Sequence, residues 1–215
     1  MLDSYVIDTT NARDLSPEVL ASPGRPRILP SSFYRNTTAA ERIMLCVRNG
    51  LYSLPTDELV DWLRAEIAGR SAIEIGAGHG ALAAALGIPA TDSWLQLNPA
   101  VAAHYAERSQ PTVTYGRNVE RLDAAAAIVK HKPKVVVACW VTHKYQSWRP
   151  EAAGNEFGVD EEALIDACET YILVGNAKVH EGKSIWNRKH RIIEPYWLYS
   201  RTMNDTKDFI AVWGK

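Results

Sequence analysis

The chain has 215 residues, 47% hydrophobic and 23% charged, with 24 Lys plus Arg against 25 Asp plus Glu and a formal net charge of −1. These values exclude a disordered tail, a collagen-like fibre and a uniformly basic nucleic-acid binder, and the length suits one domain with at most a small appendage. Cys46, Cys139 and Cys168 contain no CxxC pair, so the expected compartment is reducing and cytoplasmic. The acidic N-terminus lacks a signal-peptide pattern and no apolar run reaches 18 residues, so neither a leader nor a membrane span is expected. The six histidines and three cysteines show no metal-ligand spacing, and no metal is expected.

In chain order, residues 1–36 read as an irregular arm, with Pro23, Gly24, Pro26 and Pro30 close together. Thr38 and Glu41 form a capping box for a first helix, which Gly50 stops. Thr56, with Asp57 and Glu58 in the first turn, opens a second helix whose apolar stripe is Leu59, Trp62, Leu63 and Ile67. Residues 71–75 then read as a strand running into Gly76, Gly78 and Gly80, followed by an alanine-rich helix over 81–86 and a strand ending at Asp92. Asn98-Pro99 opens a helix to about Arg108, and 112–115 is the predicted third strand. A helix from Asp123 to about Lys130 precedes the continuous β-branched run 134–140. A polar loop spans 146–158 and suits a lid, Asp160 caps a helix, and 171–175 is the fifth strand. Residues 176–194 read as an irregular basic connection. The segments 197–202 and 209–213, around Asn204-Asp205-Thr206, read as an antiparallel hairpin. The expected fold is α/β: a Rossmann-like, mostly parallel seven-stranded sheet with helices on both faces, a C-terminal antiparallel hairpin and an N-terminal helical extension.

A glycine loop between a strand and a helix lets backbone approach a ligand, and an acid at the end of the next strand can bind both ribose hydroxyls. Ala72-Ile-Glu74-Ile-Gly76-Ala-Gly78-His-Gly80 resembles the first motif of the class I S-adenosylmethionine-dependent methyltransferases, in particular small ones of phage and bacteria. The resemblance covers 71–213. It divides the chain into an N-terminal arm and helical cover over 1–70 and a methyltransferase-like domain over 71–215. It implies S-adenosylmethionine as cofactor, with Glu74, Gly76, Gly78 and Gly80 around its methionine part, Asp92 on the ribose and Asn118 near the adenine. Ala77 and His79 within the loop, and Cys139 at the end of the fourth strand, complete the expected cofactor-binding set. The stretch 49–56 is a further candidate for the pocket wall.

Two features depart from the family pattern. Asp92 follows Gly80 by only twelve residues, and the fourth strand ends in Cys139-Trp140-Val141-Thr142, without the signatures of base-methylating relatives. The looser dinucleotide fingerprint also fits Gly76, Gly78 and Ala81, but Glu74 would repel a pyrophosphate and suits an ammonium or sulfonium. An NAD-dependent oxidoreductase is therefore the weaker reading, and a non-catalytic methyltransferase-like binding module stays open beside the enzyme.

Methyl transfer needs a general base only when the acceptor carries a proton. Trp140 and His143 after the fourth strand and His180 after the fifth are the candidate catalytic residues, since open α/β sheets bind ligands at the carboxyl ends of their strands. Lys183, Arg188, Lys189 and Arg191 surround Trp186, a pattern that suits phosphates and a stacked base. The acceptor is accordingly expected to be a nucleic acid, through 183–191, or a small molecule, and the protein a monomer or homodimer.

Overall fold

A computed structural model describes residues 8–214; residues 1–7 of the expected arm lie outside the described residues. The sheet strands are β1 (Ala72–Ile75), β2 (Ala90–Asp92), β3 (Val119–Arg121), β4 (Val135–Cys139), β5 (Thr170–Asn176), β6 (Arg191–Ile193) and β7 (Asp208–Gly214). They pair in the order β3-β2-β1-β4-β5-β7-β6. The first five are mutually parallel, and β7 runs antiparallel to both β5 and β6. The order reverses between β1 and β4, so the carboxyl ends of these two strands open a crevice.

The two-residue period of the strands sorts their side chains onto two cores. Ile73, Ile75, Val136, Ala138, Tyr171, Leu173, Phe209 and Trp213 face one side, against Ala127 and Leu164. Ala72, Val135, Val137, Ile172, Val174, Ile210 and Val212 face the other, against Leu59, Leu63 and Ile67. Val135, Val136 and Val137 are wholly buried, each contributing roughly 1.5–3 kcal/mol of apolar burial. Both cores draw on β4 because parallel strands covered by helices are apolar on both faces.

The helices start where their caps predict. They are α1 (Ala39–Arg48), α2 (Asp57–Ile67), α3 (Ala81–Leu86), α4 (Pro99–Glu107), α5 (Ala124–His131) and α6 (Glu161–Ala167); the short helices Ser16–Val19 and Ser31–Arg35 and the paired strands Leu20–Ser22 and Arg25–Pro26 correct the expectation of an irregular arm over 1–36. The side chains of Thr56, Asn98, Asp123 and Asp160 each accept a backbone N–H from the first turn. In α1, Thr38 accepts from the Glu41 N–H at 3.2 Å, and Glu41 accepts from the Thr38 N–H at 2.7 Å. Glu41 also accepts from Arg13 Nε at 2.8 Å. The Thr38 N–H and the Arg13 side chain hold this carboxyl down to about 2, against 4.5 when free. A depressed carboxyl stabilises the fold above its unfolded pKa and loses that contribution as the pH falls through its folded one. Glu41→Gln is therefore expected to melt below the wild type at pH 7, with the gap closing between about pH 4.5 and about pH 2. Thermal melts across that range check it; a gap constant with pH would remove the charge from the account.

Two strand expectations are corrected. Residues 112–115 form no strand, and the third strand is Val119–Arg121. The backbone of 112–116 is drawn to the glycine loop instead. Val113 N–H donates to Gln96 Oε1 at 2.7 Å, and Gly116 N–H to the Gly78 carbonyl at 3.3 Å. The hairpin partner of β7 is Arg191–Ile193, inside the supposed irregular connection, and not 197–202. Within 197–202, Tyr199 and Ser200 pair with Leu54 and Ser53 in a separate two-stranded sheet and so tie the N-terminal region to the connection between β6 and β7. That region has its own small core of Leu15, Val19, Tyr34, Leu45, Cys46, Leu51 and Leu54. Among the described residues, no helix is long and apolar enough to cross a membrane.

Candidate functional site

A cavity of about 850 Å³ lies at the carboxyl ends of β1, β2 and β4. Its volume is in the upper part of the range for ligand pockets, which run to roughly 1,000 Å³. Glu74, Gly76, Ala77, Gly78, His79 and Asp92 line it from β1 and β2, and Cys139 and Trp140 from β4. Tyr52 and Ser53 line it as well, within the stretch 49–56 singled out from the sequence.

The glycine loop is shaped by close packing. Gly76 has φ 58°, and a Cβ there would fall 2.7 Å from Val141 Cγ1. Gly80 has φ 66°, and a Cβ there would fall 2.5 Å from Val119 Cγ2. Both positions require glycine, since a side chain adds strain at positive φ and a clash. Gly80 faces that packing and does not line the cavity. Asn118 does not line it either: its Nδ2 donates to the Gly80 carbonyl and its Oδ1 accepts from Arg25, both at 3.0 Å. It props the loop from outside, which corrects its expected place beside a ligand.

Three carboxyls line the cavity: the exposed Glu156 and, beside the glycine loop, Glu74 and Asp92. Glu74 is buried and accepts the Ala83 N–H at 2.9 Å. Burial pushes it up to about 8, and Asp92 adds to the rise. Asp92 accepts from the Gly78 N–H at 3.0 Å and the Trp94 N–H at 2.8 Å, and burial raises it too. Neither forms a salt bridge among the described residues. A cationic ligand would stabilise both ionised forms, and an anionic one would be repelled by them. Sequence spacing placed these carboxyls near the loop; the parallel pairing of Glu74 with Ala90 sets their strands side by side.

The histidines take different roles. His79 Nδ1 accepts the Ala81 N–H at 3.1 Å, and burial lowers its pKa to about 4, so a neutral ring presents Nε2–H. His180, expected at an acceptor, is buried beside Trp140 and Phe209 and does not line the cavity. Its Nδ1 is 3.0 Å from the Asn176 N–H, and burial lowers its pKa to about 4. His143 lines a separate cavity of about 140 Å³. Its Nε2 donates to the Ala152 carbonyl at 3.0 Å, and its own carbonyl accepts from the Asn155 N–H. His143 thus pins the 146–158 loop, whose two ends are also bridged at His143–Val159 and Lys144–Asn155.

Trp140 does line the cavity, at φ 63°, with its ring edge-on to His180 at 5.2 Å. Cys139 sits 3.2 Å from Ser53 Oγ, and burial pushes its thiol up to about 12, so it is a neutral wall atom.

The segment 183–191 is not a cationic platform. Lys183 is buried against Glu161, Arg188 pairs with Glu162 and Asp166, and Arg191 pairs with Glu66. Trp186 donates its Nε1–H to the His180 carbonyl and packs against Phe209 and Trp213. Acidic neighbours brought close by the fold therefore take up three of the four charges.

The sequence singles out Tyr52 on one wall through the stretch 49–56 but not its neighbours Gln96, Tyr105 and Tyr115. Tyr105 and Tyr52 share a hydroxyl contact at 2.8 Å, and Gln96 donates to the Tyr52 hydroxyl at 3.2 Å. Tyr115 stacks on Trp94 with ring centres 5.2 Å apart. Tyr105 lies on a weakly amphipathic helix with no buried residue, and Tyr115 lies in the misread strand, so neither carried a positional signal.

No protein-family model matches the chain, and no curated protein matches its sequence. Among solved structures, it is similar to precorrin-6y C5,15-methyltransferase from Geobacter metallireducens GS-15, at 13% identity and a TM-score of 0.37 over 74% of this chain and 89% of that one. The human methyltransferase 10 domain containing protein gives 12% and 0.35, over 73% and 77%. Thermoplasma acidophilum 1320 gives 16% and 0.32, over 72% and 86%. These likenesses are weak, and the strand order and pairing of the chain itself carry the fold.

Proposed function

We propose that the chain binds S-adenosylmethionine and transfers its methyl group to an acceptor. The observation that carries this reading is the pair of cavity-facing carboxyls, Glu74 and Asp92, with no salt-bridge partner among the described residues, beside a glycine loop at the crevice of the sheet. The donor brings a sulfonium and an ammonium, and its transferable methyl is already activated, so the protein has mainly to bind and orient. Glu74 and the loop residues Gly76, Ala77, Gly78 and His79 would hold the methionine part. Asp92 would hold the ribose, since each of its oxygens keeps a second lone pair. Leu95, Val113 and Tyr115, which line the cavity near Asp92, suit an adenine better than Asn118 does. A nicotinamide dinucleotide fits worse, because its pyrophosphate would meet the same two carboxyls.

Titration calorimetry tests the reading. A donor that requires ionised Glu74 must displace its proton below about pH 8. Affinity is therefore expected to climb from pH 6 towards 8, by up to about tenfold per unit. It should fall again as the donor's own ammonium titrates, and Glu74→Gln should remove the rising limb. Failure of both S-adenosylmethionine and its demethylated product, S-adenosylhomocysteine, to bind at any pH would sink the proposal. Tight binding with no transfer of labelled methyl to nucleic acid, protein or metabolite pools would select the binding module.

A further inference from the structure

The part of the cavity beyond Glu74 and Asp92 has an uneven chemistry. Its walls include Tyr52, Tyr105, Trp140, Tyr145 and Phe157, and among the described residues no Lys or Arg lines it. Trp140 and Tyr52 form an angled aromatic pair, with ring centres 6.4 Å apart and planes tilted by 41°. Arg201 lies over the Tyr52 ring, 4.7 Å from its centre, and is held by Gln110. Glu156, an exposed carboxylate, stands on the same wall beside the hydroxyl-bearing Thr142 and Tyr145. Tyr145 and Phe157 are 44% and 56% exposed, so this end opens to solvent.

Among the described residues the cavity presents no histidine poised as a base; Glu74 and Asp92 accept backbone N–H groups beside the glycine loop, which leaves Glu156 as the carboxylate of the open end. His79 Nδ1 is occupied by the Ala81 N–H. His104 Nδ1 lies 2.8 Å from Arg108 Nη1; a guanidinium keeps its protons, so that nitrogen accepts and Nε2 carries the hydrogen. His143 and His180 lie outside the cavity wall. The Cys139 thiol and the Tyr105 and Tyr115 hydroxyls are pushed above their usual range by burial, and stay protonated at neutral pH.

We infer that the acceptor is a planar, uncharged nitrogen base without phosphate or carboxylate groups, which reacts through a free lone pair and leaves as an N-methyl cation against Trp140. The inference rests on the proposed methyl transfer. The acceptor lone pair attacks the methyl carbon, the N–C bond forms as the C–S bond breaks, and the C–S electron pair remains on sulfur. The positive charge passes from sulfur to nitrogen and no proton leaves, so no base is needed. Aromatic faces and a nearby carboxylate favour that charge throughout, because the ring quadrupole attracts cations and repels anions.

The test is titration calorimetry on the full chain saturated with S-adenosylhomocysteine, with N-methylpyridinium and benzoate as six-membered aromatic probes of similar size and opposite charge. N-methylpyridinium is expected to bind at least about tenfold tighter than benzoate. Trp140→Leu should lose about tenfold for N-methylpyridinium while keeping S-adenosylhomocysteine affinity, and Trp140→Phe should keep most of both. Benzoate binding as tightly, no detectable N-methylpyridinium binding, or an unchanged affinity in a folded Trp140→Leu would each overturn the inference. Because S-adenosylhomocysteine binding is read first, its failure would count against the methyl-transfer proposal itself. The wild-type comparison of the two probes stands even where the leucine variant does not fold.

Discussion

Lys183→Met is expected to lower the melting temperature by roughly 6–20 °C, from about 3–5 kcal/mol for breaking a buried pair in a chain of this size. The Lys183 and Glu161 side chains are 1% and 2% exposed. Lys183 Nζ donates to Glu161 and, at 2.9 Å, to the Val141 carbonyl, while the Tyr171 hydroxyl donates to the other Glu161 oxygen at 2.7 Å. Burial drives Glu161 up and Lys183 down, and each restrains the shift of the other. Removing the lysine strands a carboxyl in the interior. That carboxyl then protonates on folding, at a cost that grows with pH above its unfolded value. The deficit is therefore expected to be larger at pH 8 than at pH 5. The double variant Lys183→Met/Glu161→Gln should recover most of the loss, because removing both charges leaves nothing uncompensated. Calorimetric melts of the three proteins at both pH values decide it; a double variant as unstable as the single one would reject the ion-pair account. The same lysine fixes the Val141 carbonyl, one residue beyond Trp140, so its loss should also loosen the cavity wall.

Asp92→Ala is expected to weaken S-adenosylmethionine binding by about 10–100-fold, the equivalent of about 1–3 kcal/mol for lost hydrogen bonds to a charged group. Asp92 does two jobs in the proposed site. It faces the cavity, and it accepts the Gly78 and Trp94 N–H groups, so it also shapes the glycine loop. The two contributions separate by measurement. Loss of the loop contacts lowers the melting temperature of the ligand-free protein, whereas loss of the ribose contact lowers affinity alone. Asp92→Asn keeps one accepting oxygen where the carboxylate has two, and should fall between wild type and alanine on both measures. Unchanged affinity in a well-folded Asp92→Ala would remove it from the proposed binding set.

The caps at Thr38, Thr56, Asn98 and Asp160 are legible because a cap is a contact within three residues; Asp123, expected inside its helix, is the cap of α5. Also legible are β1, β4 and β5, whose apolar runs need no knowledge of their neighbours. The glycine loop is legible for the same reason: its strand, turn and helix are contiguous. Gly76, Gly78, Glu74 and Asp92, which line one cavity, could thus be grouped around that loop from the sequence.

Other features depended on partners far along the chain. Residues 112–115 have strand-forming side chains, yet the Val113 N–H goes to Gln96 and that of the adjoining Gly116 to Gly78, so β-propensity there meets no ladder. Arg191–Ile193 looked irregular because two of its three residues are exposed on an edge strand. Lys183 looked like a surface charge until Glu161, 22 residues away, closed on it in the interior. His143 and His180 follow the strands that carry ligands, but their hydrogen bonds turn them to the loop and to Asn176. Local backbone preference and side-chain period suffice for the α/β class, the helix starts and the glycine loop. Which charges are internal, which rings wall the cavity and which histidines stand back from it depend on burial and on contacts between distant residues that no spacing encodes.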